Sequence, residues 1–291
     1  MRIRLADRRK ALHPAAMKQY TAPALIVALS VIAAPGFTRT PDTLDPSSKW
    51  VVNYADDMCL LERRFGADPN AVWLAFEVDP MGQGAALHIS RIGRSAGGSE
   101  RAKILADGVQ VAAHDAYSSF YDKRQLIMTS TGVDKGELAR LRVASTIGII
   151  RYSGPSYSFK VPLIASALDA LDKCRVDLVD GWGMTAVQQA RLKTAAKVIG
   201  VGGTSKFDSD DYPNAALAKS SQGKARVRLR IDPNGQVGQC TVMHSSGSKP
   251  IDDKTCEVYR LRYRYKPALD ANDKPMTSFA VAVVTWVIPD L

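Results

Sequence analysis

The chain has 291 residues, 46% of them hydrophobic and 23% charged, a composition that excludes a chain disordered throughout. Its net charge is +10, but residues 1–36 carry six basic groups and one acidic group and so supply half of that charge. The remaining +5 is spread over a long segment, and it does not by itself indicate a protein that binds nucleic acid.

The N-terminal segment has the layout of a secretory signal. Lys18 precedes an apolar run over residues 22–34, and small residues follow the run. This run is shorter than the roughly 20 residues that cross a bilayer as a helix. The sequence therefore predicts a signal peptide over residues 1–36, with Met17 as an alternative start, and an exported periplasmic protein. Retention of the segment as an inner-membrane anchor is the alternative.

Residues 37–48 are rich in Pro, Asp, Ser and Thr and are predicted to be a linker. Residues 49–184 are predicted to form a β-rich antiparallel α+β domain. Its strands are placed, between turn sequences, at 72–78, 86–92, 104–112, 124–130 and 142–150. A helix follows, on which Leu163, Ala167, Leu171, Cys174 and Leu178 recur at spacings of three and four, so Cys174 is expected on the buried stripe.

Residues 185–210 are predicted to be a helix and a Gly-rich linker, and residues 211–291 a second α+β domain. The sequence KARVRLRI alternates, with apolar residues on one face and Arg226, Arg228 and Arg230 on an exposed face. A DPNG turn leads to a return strand that carries Cys240. The next helix is expected to begin with Asp252 as N-cap, and Ile251 and Cys256 are placed where a hydrophobic staple would form, so that Cys256 faces the sheet. The final strand, through Trp286, is apolar on both faces.

Four cysteines in an exported chain predict disulfides, and four cysteines allow three pairings. Two of them lie early in the sequence and two lie late, which favours one bridge in each predicted domain. The expected inward position of Cys174, Cys240 and Cys256 leads to the pairs Cys59–Cys174 and Cys240–Cys256. No C-x-x-C motif and no histidine at ligand spacing is present, so neither a metal nor a cofactor is predicted.

Residues from about 211 to 289, under a third of the chain, contain in order YPNAAL, GKARVRLRIDPNGQVGQCTVMHSSG, IDDKTC and RYRYKPALDANDKP, followed by the closing strand. This order of motifs resembles the TonB C-terminal domain of Gram-negative bacteria, in its two-cysteine, energy-transducer branch. The resemblance implies a three-stranded antiparallel sheet with two helices and a non-catalytic role. It also implies that the domain binds the N-terminal segment of an outer-membrane receptor by adding it as a strand to the edge of the sheet.

This resemblance defines a candidate binding surface on the closing strand. Main-chain pairing would supply affinity, and the basic face of the neighbouring hairpin would favour an acidic partner. The candidate edge residues are Thr277, Phe279, Val281, Val283, Thr285 and Val287, and the candidate basic face is formed by Arg226, Arg228 and Arg230. The alternative function is an anchored energy transducer for TonB-dependent transport.

An enzyme is the remaining alternative. GRSAG, residues 93–97, matches the G-x-S-x-G motif of serine hydrolases, with Ser95 as nucleophile and His114 as the histidine in the same domain. That motif requires a strand before it and a helix after it, whereas the residues after Gly97 favour another strand. A polar hairpin loop is therefore the favoured interpretation, and no catalytic residue is predicted.

Overall fold

The computed structural model describes residues 41–93, 98–121, 125–199 and 207–288. The predicted signal peptide, residues 1–36, lies outside these described residues. From Pro41 onward the chain belongs to one packed unit. The division into two domains between residues 184 and 211 stays a prediction.

The first part of the described chain is built on a ten-stranded sheet. The strand order is β1-β10-β9-β6-β7-β8-β5-β4-β3-β2, and every pair is antiparallel except β1 with β10. The strands are β1 (Thr43–Leu44), β2 (Val51–Tyr54), β3 (Cys59–Phe65), β4 (Val72–Val78), β5 (Gly84–Ile92), β6 (Gly98–Ala106), β7 (Val109–Tyr121), β8 (Leu126–Asp134), β9 (Thr146–Arg151) and β10 (Tyr157–Lys160).

This sheet curls until its two ends are joined. The residues just after β1 hydrogen-bond to the end of β3: Ser47 N donates to the Arg64 carbonyl at 2.9 Å, and Gly66 N donates to the Asp45 carbonyl at 3.0 Å. One segment thus pairs with β10 and with the end of β3, and so links the two ends of the sheet. The predicted linker over residues 37–48 is therefore ordered from Pro41 onward and completes the sheet.

The concave side of the curled sheet holds the core, and α2 (Ile164–Gly181) packs into it against β2, β3 and β4. Ala167, Leu171 and Cys174 are buried as predicted. Leu163 is an exception, because it is the N-cap residue at a φ of 63° and is 78% exposed. Cys174 forms a disulfide with Cys59 of β3, which confirms that pairing.

Two of the predicted strands are wrong in part. Residues 104–112 form a hairpin and not one strand, because Asp107 and Gly108 adopt φ values of 49° and 81°, a conformation that suits a two-residue hairpin turn. The strand expected over 142–150 begins only at Thr146, as β9, because Arg142 is the last residue of a helix, α1 (Lys135–Arg142). The helix begins with a capping box: Glu137 N donates to Asp134 Oδ1 at 2.8 Å, and Asp134 N donates to Glu137 Oε2 at 2.9 Å.

The last part of the described chain contains a three-stranded antiparallel sheet with the order β14-β13-β18. Its strands are β13 (Gly223–Ile231), β14 (Val237–His244) and β18 (Ser278–Trp286), and its helices are α4 (Asn214–Leu217) and α5 (Lys249–Arg262). Apolar side chains of β13 pack against α5, and Cys240 of β14 is bonded to Cys256 of α5. The α+β class, the three-stranded sheet, its two helices and the second disulfide are confirmed.

Helix α5 begins earlier than predicted. Ser248 is the N-cap residue, and Pro250 occupies the first turn, where its missing N–H has no partner to lose. Asp252 lies one turn inside, where its carboxylate accepts a hydrogen bond from Ser246 N at 2.8 Å. Ile251 packs with Trp286 and not with Cys256. The prediction of Asp252 as N-cap is therefore wrong.

The segment that follows α2, residues 185–199, contains only one short helix. The predicted helix is α3 (Ala186–Ala190), and short strands follow it where a linker was expected: β11 (Leu192–Thr194) and β12 (Lys197–Val198). They pair with β16 (Ala268–Asp270) and β15 (Tyr265–Lys266), and β17 (Pro275–Met276) completes the small sheet beside β16. Residues 192–194 and 197–198 are therefore paired with strands of the C-terminal part. The Gly-rich stretch itself, residues 200–206, lies outside the described residues.

Among the residues that the structure describes, none of the helices is both long enough and apolar enough for a membrane crossing.

The two disulfides should contribute unequally to stability. Cys59 and Cys174 are 115 residues apart and Cys240 and Cys256 are 16 apart, and a longer closed loop restricts the unfolded chain more. We expect alanine at both Cys59 and Cys174 to lower the free energy of unfolding by about 5 kcal/mol, and at both Cys240 and Cys256 by about 3 kcal/mol. Urea unfolding without reductant measures both. A larger loss for the second pair would contradict the loop-length argument.

Candidate partner-binding surface

Strand β18, which holds most of the candidate edge residues, lies at an edge of its sheet. It pairs with β13 over nine residue positions, from Gly223 opposite Trp286 to Ile231 opposite Ser278. No other strand within the described residues pairs with it. The structure therefore places this strand where an added strand could hydrogen-bond.

The two ends of β18 differ in exposure. Phe279 is 4% exposed, Val283 is 53% exposed, and Val287, just beyond the strand, is 61% exposed. Val281 is half-buried and Thr285 is exposed, while Thr277 precedes the strand and is half-buried. The alternate side chains, Ala280, Ala282 and Val284, pack toward the core under α5. Of the six candidate residues, those from Val283 onward are accessible.

The arginines of β13 do not form the exposed basic face that the sequence predicts. Arg226 contacts two carboxylates of the N-terminal part, one in β4 and one in the loop between β2 and β3: its Nη2 lies 2.6 Å from Glu77 Oε1, and its Nε lies 3.2 Å from Asp57 Oδ2. The Arg226 side chain is 16% exposed, and Asp57 is 6% exposed. The prediction of an exposed side chain is wrong for Arg226, because the strand face that carries it packs against the outer side of the curled sheet.

Arg228 is also engaged within the chain. Its guanidinium carbon lies 5.1 Å from the centre of the Trp182 ring and 5.8 Å from that of Phe279, within cation–π range. Burial lowers the pKa of Arg228 from its usual value. Only Arg230, of the three candidate arginines, is exposed. The expectation of an acidic partner loses most of its basis, since two of the three arginines already have partners.

Glu77 is the central acid of this contact. It also lies 3.4 Å from His88 Nε2, and His88 Nδ1 lies 2.7 Å from Ser130 Oγ. Burial alone would raise the pKa of Glu77, but the hydrogen bonds and positive charges of His88 and Arg226 outweigh it and lower the pKa to about 2. Glu77 is thus ionised at neutral pH and holds Arg226 in place.

Sequence reasoning missed Asp57, Glu77 and Trp182. Glu77 is the one acidic residue in the otherwise apolar sequence VWLAFEV of β4. A buried carboxylate requires a cationic partner. An acidic residue in an otherwise apolar strand is therefore a sequence signal that such a partner exists. The position of that partner, almost 150 residues away in β13, could not be read from the sequence.

A groove lies between β18 and the N-terminal sheet. Its volume is about 400 Å³. One wall is formed by Val281 and Val283 of β18, with Arg226 at the base, and the other by the turn between β4 and β5. The remaining lining residues are Glu77, Val78, Asp79, Pro80, Gln83, Gly84, Ala85, Ala86 and Val133.

The catalytic alternative gains no support. Ser95 lies outside the described residues, and the predicted partner His114 has its Nε2 2.8 Å from Glu137 Oε2, a residue of the α1 capping box. The described part of the chain holds no group of three or more histidine, cysteine or acidic side chains suited to a metal ion.

The sheet order, the helix that covers one face and the cysteine pair agree with the resemblance seen in the sequence. Residues 209–285 match the family model of the Gram-negative bacterial TonB protein C-terminal. This match confirms the resemblance predicted for residues 211–289. The family is a non-enzymatic transducer domain. No curated protein matches the chain.

Removing the arginine that joins the two sheets should destabilise the protein. Arg226→Met removes one cationic contact from Asp57 and one from Glu77 in a partly buried site. We therefore expect the free energy of unfolding to fall by about 3 kcal/mol. Arg101→Met is the matched control, because Arg101 and Asp115 are 68% and 58% exposed and their pair should contribute under about 1 kcal/mol. Urea unfolding at pH 7 measures both. Equal effects would show that Arg226 contributes no more than a surface cation.

The lowered pKa of Glu77 makes a pH-dependent contribution to stability. Because the folded-state pKa is about 2 and the ordinary value is 4.5, the contribution is present above pH 4.5 and is lost as the pH falls toward 2. Glu77→Gln should therefore lose up to about 3 kcal/mol at pH 6, and the difference from the wild type should shrink toward pH 2. Glu257→Gln, at an exposed residue of α5, serves as control. A Glu77→Gln deficit that stays constant with pH would contradict this assignment.

Proposed function

We propose that this is an exported, non-enzymatic protein of the Gram-negative periplasm that binds a partner protein through the edge of β18. The partner supplies an extended segment, such as the N-terminal segment of a TonB-dependent outer-membrane receptor, which adds to the sheet as a fourth strand. The observation that carries the proposal is the position of β18: an edge strand with Val283 and Thr285 exposed, nearly all of which lies within the segment, residues 209–285, that matches the TonB C-terminal family.

Strand addition suits this surface because β18 offers a row of main-chain groups on its free side. Main-chain hydrogen bonds supply affinity for any extended segment, and side-chain contacts decide which segment is preferred. The opposite edge strand, β14, is tied to α5 by the disulfide Cys240–Cys256. Among the described residues, no strand pairs with the free side of β18.

The family match also favours a second candidate, an energy transducer that keeps residues 22–34 as an inner-membrane anchor. The two candidates differ in the fate of the N-terminal segment. N-terminal sequencing of protein isolated from the envelope separates them: a mature chain that starts between Ala33 and Arg39 excludes the anchored transducer.

The binding proposal is tested with the full mature protein and synthetic peptides of receptor N-terminal segments. Val283→Lys places a charge on the accessible half of β18, and we expect it to weaken binding about tenfold, or about 1.4 kcal/mol. Val242→Lys is the matched control, because Val242 lies on the opposite edge strand β14 and is 36% exposed. Calorimetric titration gives the affinities.

Amide chemical shifts identify the binding strand in the same samples. Shifts along residues 281–287 support addition to β18. Peptides that bind Val283→Lys and wild-type protein equally, with shifts confined to β14, would refute the proposal, and so would the absence of any binding at millimolar peptide.

A further inference from the structure

We propose that the partner segment is held between two walls, one from each sheet, and that the wall from the N-terminal sheet selects an uncharged segment with small apolar side chains. This inference rests on the proposed function, since it takes binding beside β18 as given. The second wall is the turn of residues 79–83, which joins β4 to β5. The N-terminal part of the chain thereby acquires a role in choosing the partner.

The groove lies where the side chains of an added strand would point. An added strand lies about 4.8 Å from its neighbour, and every second side chain points to the same face of the sheet. Side chains on the face that carries Val281 and Val283 would therefore enter the groove of about 400 Å³ between β18 and the turn. That volume lies in the lower part of the range of ligand sites, about 300–1,000 Å³, and leaves room for small side chains.

The second wall is already formed without a partner. Asp79 Oδ1 accepts hydrogen bonds from Met81 N at 2.9 Å and Gln83 N at 3.2 Å, and Gly82 N donates to the Asp79 carbonyl at 2.8 Å. Gly84 lets the turn return against β8: a Cβ there would lie 2.1 Å from the Val133 carbonyl oxygen. A preformed wall costs little conformational entropy on binding.

The charges of the groove are already compensated within the chain. Arg226 is paired with Glu77 at 2.6 Å and lies near Asp57 at 3.2 Å, while the Asp79 carboxylate is bonded to the main chain of its own turn. A charged partner side chain that entered the groove would lose water and find no free counter-charge, which is unfavourable. Apolar residues, among them Val78, Ala86 and Val133, line the rest. An uncharged side chain of alanine or valine size fits this chemistry.

The test begins with a display library of random ten-residue peptides, selected on the full mature protein with its disulfides intact. We expect the enriched peptides to carry small apolar residues at alternate positions. The amides of Gly82 and Gln83 should shift on binding together with those of Val281 and Val283. Binding should change less than twofold between 50 and 300 mM salt, because no charge pairs across the groove.

A charge introduced on the turn gives the matched comparison. Gln83 is exposed and lines the groove, and Gln83→Arg should weaken the selected peptides at least tenfold. A second selection on Gln83→Arg should enrich an acidic residue. Gln110→Arg adds the same charge at an exposed position beside the Asp107–Gly108 hairpin turn and should leave binding unchanged. Thermal unfolding confirms that both variants remain folded.

The outcomes separate this inference from the proposed function. Shifts in residues 281–287 alone, with equal binding to Gln83→Arg and wild-type protein, overturn the second wall and leave strand addition standing. Enrichment of acidic peptides on the wild-type protein overturns the neutral groove. If no peptide is enriched, or if the shifts lie away from β18, both the proposed function and this inference fail.

Discussion

The contact of Arg226 with Glu77 and Asp57 fixes how the two sheets face each other, and the accessible surface follows from it. An arginine in the middle of β13 must either point to water or find carboxylates. Here it meets two of them in the N-terminal part, Glu77 of β4 at 2.6 Å and Asp57 of the loop between β2 and β3 at 3.2 Å. Ionised groups in a partly buried site are costly when any one of them is unpaired, so the three residues favour one arrangement of the sheets over others.

The three-stranded sheet has two faces, and the chain covers them by different means. Helix α5 and an apolar cluster cover most of one face. The other face meets the N-terminal sheet through charged and aromatic contacts, and Met81, Val179 and Phe279 form a small apolar cluster at one end. Coverage stops before Val283, which leaves the distal half of β18 and the groove beside it. The candidate site therefore results from where the intramolecular contact ends.

The sequence contained most of the fold of the C-terminal part, because alternation in β13, the DPNG turn and the two late cysteines are local signals. It contained less of the N-terminal part: the D-K-G-E capping box of α1 was present but overlooked, and the short strands β11 and β12 have no local signal. The candidate edge strand was implied by the resemblance to the TonB C-terminal domain and not by a local signal. The partners of the arginines could not be predicted, because the alternation of KARVRLRI indicates only that one face is polar. It does not indicate whether water or a carboxylate of a distant strand meets that face.

The disulfide Cys59–Cys174 also acts on this contact, although it lies within the N-terminal part. Asp57 is two residues before Cys59, and Trp182 ends the helix that carries Cys174. The indole N–H of Trp182 donates to the Asp56 carbonyl at 3.4 Å, so a hydrogen bond joins the same two segments beside the disulfide. Asp57 meets Arg226, and Trp182 meets Arg228. The bridge thus holds in place two residues that contact the arginines of β13. Neither disulfide joins one sheet to the other. Non-covalent contacts between the two sheets therefore determine how the sheets are oriented to each other, and this orientation sets the width of the groove.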